Sequence, residues 1–274
     1  MGFAPPVTEH NSVGVVIPTF NSAQTIERAL TSVINQSVPP TQVVVVDNAS
    51  SDHTLQTVSR MAEATPHLDW SIVKLTTNGG PGHARNVGWD QCTTSLIAFL
   101  DSDDAWHPEK IKRQLAVVDA HPTHQLFGHR YAVITDENTD DHDIPAGSGK
   151  IMRYGLRHFL IRNRVSTPTV MLRRNLPHRF PSDPWFAEDF ALWTKILADG
   201  QLAVVLDLEL TYLYKATYGE SGLSAKMTEM HQGEIAAIRN LYTKRVITWF
   251  EYRSTKVWMW VKFVRRHLTV SHDE

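Results

Sequence analysis

The chain has 274 residues, 42% of them hydrophobic and 20% charged, with 27 Lys+Arg against 29 Asp+Glu and a net charge of −2. At roughly 100–200 residues per domain this allows one large domain or two small ones, and the composition excludes wholesale disorder, collagen-like repeats and a multi-span membrane protein. A single cysteine, Cys92, permits neither an intramolecular disulfide nor a Cys-based zinc site, and so predicts a reducing, cytoplasmic setting.

Residues 1–10 carry neither the basic region nor the apolar stretch of a signal peptide, so none is expected. No run approaches the ~18 apolar residues of a membrane span. Short Val- and Ile-rich runs then alternate with segments of helical period. Val13–Ile17, Val43–Val46, Ser71–Leu75 and Leu96–Leu100 each end in turn formers and read as buried strands. Helices are predicted over 24–36, 53–64, 82–92 and 108–120, the second capped by Asp52 and the fourth opened by Pro108. This β-α alternation calls for a parallel sheet with helices on both faces and right-handed crossovers.

A strand over 125–135, an acidic surface loop (Asp136, Glu137, Asp140, Asp141, Asp143), a helix near 154–162 and a strand near 167–172 are expected next. A helix near 187–199, strands near 203–214 and a helical stretch of about 45 residues complete the chain. No internal repeat and no Pro- or Gly-rich linker divides it.

Open parallel sheets bind ligands outside the carboxyl ends of their strands. There the first strand delivers Pro18, Thr19 and Asn21; the second Asp47, Ser50 and Asp52; the third Asn78, Gly79, Gly80 and then Arg85; the fourth Asp101, Asp103 and Asp104. Three carboxylates within four residues repel unless a cation offsets them, and their oxygens suit Mg²⁺ or Mn²⁺ shared with a phosphate. The turn Asn78-Gly-Gly-Pro-Gly-His-Ala-Arg-Asn86 allows close backbone approach to an anion, but matches neither common phosphate loop. Downstream, Glu188-Asp189 opens a helix among aromatics. One carboxylate would face the crevice and the other would cap or brace; an Asp in partly apolar surroundings has a pKa suited to a general base. The 14 histidines form no recognisable metal constellation.

Together, Val13-Gly-Val-Val-Ile-Pro-Thr-Phe-Asn21, Val45-Val-Asp-Asn-Ala-Ser-Ser-Asp52, Asn78-Gly-Gly with Ala84-Arg85-Asn86, Phe99-Leu-Asp-Ser-Asp-Asp-Ala-Trp106 and Glu188-Asp189 resemble the ordered signature of glycosyltransferase family 2. The resemblance covers about residues 13–225 and implies a GT-A fold: a Rossmann-like nucleotide-binding half (12–122) with a central, mostly parallel sheet flanked by helices, joined to an acceptor-binding half (123–225). Residues 226–274 would form a C-terminal helical tail. It implies inverting, metal-dependent (Mn²⁺ or Mg²⁺) transfer of a sugar from a nucleoside diphosphate donor, UDP-linked, to a saccharide or lipid-linked acceptor in cell-surface polysaccharide or glycolipid synthesis. By matching position, Pro18, Thr19 and Asp47 would contact the nucleobase, with Asn21 and Asn78 also at the donor. Arg85 would hold the base or diphosphate, Asp101 would lie near the ribose and join Asp103 at the metal, and Glu188 would touch substrate. Asp189 would be the base, and Lys215, in the Tyr212–Ser224 segment where relatives have a closing loop, would neutralise phosphate. The second motif departs from the usual Asp-Asp-Gly-Ser, with Asn48-Ala49 in place of the second acid and the glycine.

Two other functions compete. Asp101-Ser102-Asp103 after an apolar strand also resembles the nucleophile motif of haloacid-dehalogenase-like phosphatases, although three βα units precede it here. A non-catalytic nucleotide-sugar-binding module is the other, against which the Glu188-Asp189 pair argues. Finally, residues 244–266 hold seven cations and one anion, a charge of +6 that leaves −8 elsewhere. Trp249, Phe250, Val257, Trp260, Val261, Val264 and Leu268 recur there at helical spacing. That stripe suits either an anionic membrane surface, making the protein peripheral, or packing on the catalytic body. No nucleic-acid module accompanies it.

Overall fold

The computed structural model describes residues 11–134, 149–181, 186–214 and 226–270, with side chains described up to 266. Lys215 and the acidic loop lie outside the described residues. The first half runs β1 (Val13–Thr19), α1 (Ile26–Ile34), β2 (Gln42–Asp47), α2 (Thr54–Ala64), β3 (Asp69–Lys74), α3 (Pro81–Gln91), β4 (Leu96–Phe99), β5 (Ala105–Trp106) and α4 (Lys110–Ala120). The second runs β6 (Leu126–Val133), β7 (Ile151–Tyr154), α5 (Leu156–Ile161), β8 (Met171–Arg173), α6 (Glu188–Ala198), β9 (Ala203–Leu213), α7 (Met227–Thr243) and α8 (Trp249–Val270).

The strands form one sheet in the order β3-β2-β1-β4-β8-β6-β9-β5, with β7 also on β9. Its first four strands are all parallel, as the β-α alternation requires. Past β4 it becomes mixed: β8 runs antiparallel to both β4 and β6, while β6 and β9 pair in parallel. The side-chain period of two divides each buried strand between two cores. Val13, Val15 and Ile17 pack with α1, α2 and α4 on one face, whereas Val16, Val44, Val46, Ile97 and Phe99 pack with Trp89 of α3 and Trp193 of α6 on the other.

The strand expected near 167–172 is in part a 3₁₀ turn, Thr167–Thr169, before β8. Pro168 supplies no N–H to a ladder, so pairing begins only past it. The helical tail is two helices, and they share a core with α5 and α6 through Leu160, Ala187, Phe190, Ala237, Ile238, Leu241 and Met259.

The aromatic stripe of α8 is not the face by which the helix packs on the body. The helix does pack on the body, but through Thr255 and Met259, which are buried, with Tyr252 and Phe263 beside them. Trp249, Phe250, Val257, Trp260 and Val261 lie off that packing face and stay exposed.

Candidate functional site

The carboxyl ends of β1, β2 and β4 meet at one rim, as parallel strands must. Thr19, at the end of β1, is 2% exposed, and its buried Oγ1 has no hydrogen-bond partner among the described residues. Pro18 is buried beside it. Asp47 is fully buried and accepts the Ser50 N–H at 3.3 Å from both oxygens. Asn21 is exposed, sits at φ 49°, and accepts from the Ser51 N–H at 2.9 Å. It ties the β1 and β2 loops together.

Asn78 also works through a neighbour. Asn48 Nδ2 donates to Asn78 Oδ1 at 2.7 Å, and the Gly79 and Gly80 N–H groups donate to Asn48 Oδ1 and Asn78 Oδ1. The departure at position 48 is therefore a clasp between the β2 end and the glycine-rich turn. Ala49 holds φ 67°, the left-handed region glycine prefers.

Arg85 braces two elements. Its side chain is 6% exposed; one terminal nitrogen donates to Asp101 Oδ1 at 2.6 Å and the other to Glu188 Oε1 at 2.8 Å. Burial opposes its charge, but the two carboxylates more than offset that and hold the guanidinium firmly protonated. The bridge spans 103 residues of sequence, from α3 to Glu188 at the start of α6. Gly82 allows it: a Cβ there would lie 3.1 Å from Glu188 Cγ.

Asp189 follows Glu188 in the first turn of α6, entered through Ala187 at φ 57°. Asn163 Nδ2 donates to its Oδ2 at 3.3 Å and the Phe190 N–H to its Oδ1 at 2.6 Å. Burial first, then the neighbouring Glu188 charge, push its pKa up to about 7, against the opposing pull of the Phe190 N–H and Arg85. A carboxyl so placed is poised to take a proton near neutral pH. It lines a cleft of about 1100 Å³ formed by β6, the 161–166 segment, α7 and α8. A bulge in the β6–β9 pairing at His129–Tyr131 turns those residues into the same cleft.

Asp103 and Asp104 lie in the turn after β4, which β5 anchors by pairing Ala105 and Trp106 with Tyr212 and Thr211 of β9. Arg28 holds this turn from α1, donating to the Asp103 carbonyl at 2.7 Å and stacking 3.6 Å over the Tyr214 ring. Among the described residues no group of three or more His, Cys, Asp or Glu is arranged for a metal. Asp101 and Asp103 still fit a hard divalent ion, which commonly takes one or two carboxylates and completes its shell with substrate phosphate and water.

A family model described as "Glycosyl transferase family 2" matches residues 14–182. The chain belongs to glycosyl transferase family 2. That match spans Asp101–Asp103 and removes the phosphatase alternative. Among individual family members, the chain is 40% identical over 116 residues to the poly(ribitol-phosphate) beta-N-acetylglucosaminyltransferase TarS of Staphylococcus aureus, covering 41% of this chain but 20% of TarS. It is 27% identical over 197 residues to WfgD of Escherichia coli, a UDP-Glc:alpha-D-GlcNAc-diphosphoundecaprenol beta-1,3-glucosyltransferase, covering 70% of this chain and 72% of WfgD. The crystal structure of S. aureus TarS 1-349 with UDP-GlcNAc superposes with a TM-score of 0.67 at 25% identity, over 94% of this chain and 73% of that one. The mannosyltransferase PcManGT of Pyrobaculum calidifontis, with GDP-Man and Mn2+, shares the fold at a TM-score of 0.66 and 23% identity over 86% of this chain and 65% of that one. The GT-A architecture expected of the family is thus the one this chain adopts. No described helix is long and apolar enough to cross a membrane.

Proposed function

We propose that this protein is an inverting glycosyltransferase that moves a sugar from a UDP-linked donor to a hydroxyl of a saccharide or lipid-linked acceptor, in cell-surface polysaccharide or glycolipid synthesis. The observation that carries this reading is the placement of Asp189: a carboxyl lining the cleft, one residue from the Glu188–Arg85–Asp101 bridge to the β1–β4 rim, with burial and the Glu188 charge raising its pKa. The base and the donor site are thereby parts of one rigid piece. The UDP-GlcNAc complex of TarS and the UDP-Glc donor named for WfgD support a uridine donor.

In this reaction the acceptor oxygen attacks the anomeric carbon while Asp189 takes its proton. The bond from that carbon to the diphosphate oxygen breaks on the opposite face, which inverts the centre. Pro18, Thr19 and Asp47 hold the nucleobase, and Asp101 holds the ribose. Asp101 and Asp103 would hold a divalent cation, which when bound supplies charge neutralisation to the departing diphosphate. Lys215 would add to it. Arg28 keeps the Asp103 turn in place, and Arg85 keeps Asp101 and Asp189 in register. The exposed stripe of α8, flanked by Arg253 and Lys256, seats the protein peripherally on an anionic membrane surface.

The deciding experiment is a panel of nucleotide sugars assayed with Mn²⁺ or Mg²⁺ for donor-dependent diphosphate release, with and without lipid-linked acceptors. UDP-sugars are expected to react, EDTA to abolish release, and Asp189→Asn to lower it about 10³-fold with donor affinity retained. An Asp189→Asn variant as active as the parent would overturn the assignment of the base, and a chain that binds donor without turnover would be a binding module.

A further inference from the structure

We propose that the cleft beside Asp189 is a diphosphate-binding subsite for an anionic acceptor, gripped by Arg162 and Arg164 from one wall and by Lys262, Arg265 and Arg266 from the other. This rests on the reading of Asp189 as the base, and it specifies the acceptor class for that same site. Among the described residues the lining contains six Lys or Arg side chains and two acids, Asp189 and Glu234. Arg130 is engaged by Asp207 at 3.2 Å and Glu209 at 2.7 Å, and Arg266 lies 3.8 Å from Glu234. Among these residues the five cations other than Arg130 outnumber the two acids. A carboxylate would bring one negative charge to that surplus, whereas a diphosphate ester brings two or more and offers the oxygens that guanidinium forks grip.

The cleft is built rather than incidental. Trp258 Nε1 donates to the Ile161 carbonyl at 2.7 Å and Lys262 Nζ to the same oxygen at 3.4 Å, so α8 is pinned to the opposite wall. Arg164 lies 4.8 Å over the Tyr154 ring, and its Nε is buried with no hydrogen-bond partner among the described residues. Burial lowers the pKa of Lys262; Glu234 opposes this and Arg266 adds a smaller push in the same direction as burial. Cations crowded and desolvated in this way repel one another, and a bound anion reverses the sign of that interaction. At the lip, Ile161, Trp258 and Val261 are 55%, 44% and 43% exposed. They offer an apolar exit for a chain attached to the diphosphate, while the acceptor hydroxyl faces Asp189.

The test is calorimetric titration of the full chain with inorganic diphosphate in metal-free buffer, with glucose as the neutral control. Binding is expected to diphosphate and not to glucose, and to weaken at least tenfold in Arg164→Gln/Lys262→Gln. The exposed Arg162→Gln, which carries no folding risk, is expected to weaken it about threefold. UDP binding in the presence of Mn²⁺ is expected to stay within twofold in all variants. Undetectable diphosphate binding, unchanged affinity in the variants, or glucose binding as tightly would each overturn the proposal. Loss of UDP binding by the parent chain would instead sink the nucleotide-sugar reading, so the two failures are distinguishable. A further arm compares dodecyl phosphate with glucose 1-phosphate. Tighter binding of dodecyl phosphate that Trp258→Ala removes supports a lipid-borne phosphate, and equal binding of the two supports a soluble phosphate ester.

Discussion

Arg85 and Asp189 hold opposite kinds of electrostatic state, and each makes a measurable claim. Removing the Arg85 fork leaves Asp101 and Glu188 close together without their shared cation. Arg85→Met is therefore expected to cost roughly 3–5 kcal/mol of stability, read by urea unfolding. Arg85→Lys is expected to recover only part of that, because an ammonium cannot span both carboxylates. For Asp189 the folded pKa of about 7 lies above the ordinary 3.8. The folded state therefore binds the proton more tightly than the unfolded one, and stability falls as pH rises from about 4 to about 7. Asp189→Asn removes that loss and is expected to melt higher than the parent at pH 8. Activity runs the other way: kcat/KM is expected to rise with pH and level off above about 7, as the base becomes ionised. Ala49 offers a smaller test. At φ 67° its Cβ is strained, so Ala49→Gly is expected to gain about 1 kcal/mol in thermal or urea unfolding while leaving Asp47 in place.

Helix α6 is held at its entry from two directions, by α3 through Glu188 and by α7 through Gly233. A Cβ on Gly233 would lie 2.0 Å from the Phe186 carbonyl oxygen, which only a shift of α7 or of the 186–187 turn relieves. Gly233→Ala is expected to lower stability by about 1–3 kcal/mol and to reduce kcat more than donor affinity, because the displaced element carries Asp189 and not the nucleotide rim. Calorimetric melting together with UDP titration separates the two effects. The sequence predicted α6 and its acidic opening well, since a buried amphipathic helix declares itself by period. It missed β5 and the role of Asn48, because a two-residue strand has no pattern and an Asn at a strand end reads only as a turn former.

Taken together, the two halves are joined by one continuous sheet and by the Arg85 bridge, with the cleft beside Asp189 bordered by α8 and most of that helix's aromatic stripe left outside it. Glu251, the one anion of the cationic stretch, is engaged by Arg157 at 2.8 Å and by the Thr248 N–H, so it does little to offset the exposed Arg253 and Lys256. The paired change Phe250→Ser/Trp260→Ser removes exposed apolar area only. It is expected to reduce co-sedimentation with vesicles of anionic phospholipid at least tenfold, with melting temperature and UDP affinity unchanged. Equal binding by that variant would show the stripe to be no membrane element.

The linear sequence determined the βα units of the first half and the family, because strand and helix periods and strand-end motifs are local properties of the chain. It did not determine which carboxylate Arg85 holds, which face of α8 packs or what lines the cleft beside Asp189. Arg85 and Glu188 are 103 residues apart, and Trp258 and Ile161 are 97 apart. Such pairs are selected by packing of whole elements, in which the apolar area buried by Met259 against α5–α7 outweighed leaving the aromatic stripe in solvent. Local periodicity scores both faces of that helix alike, and only burial against specific neighbours separates them.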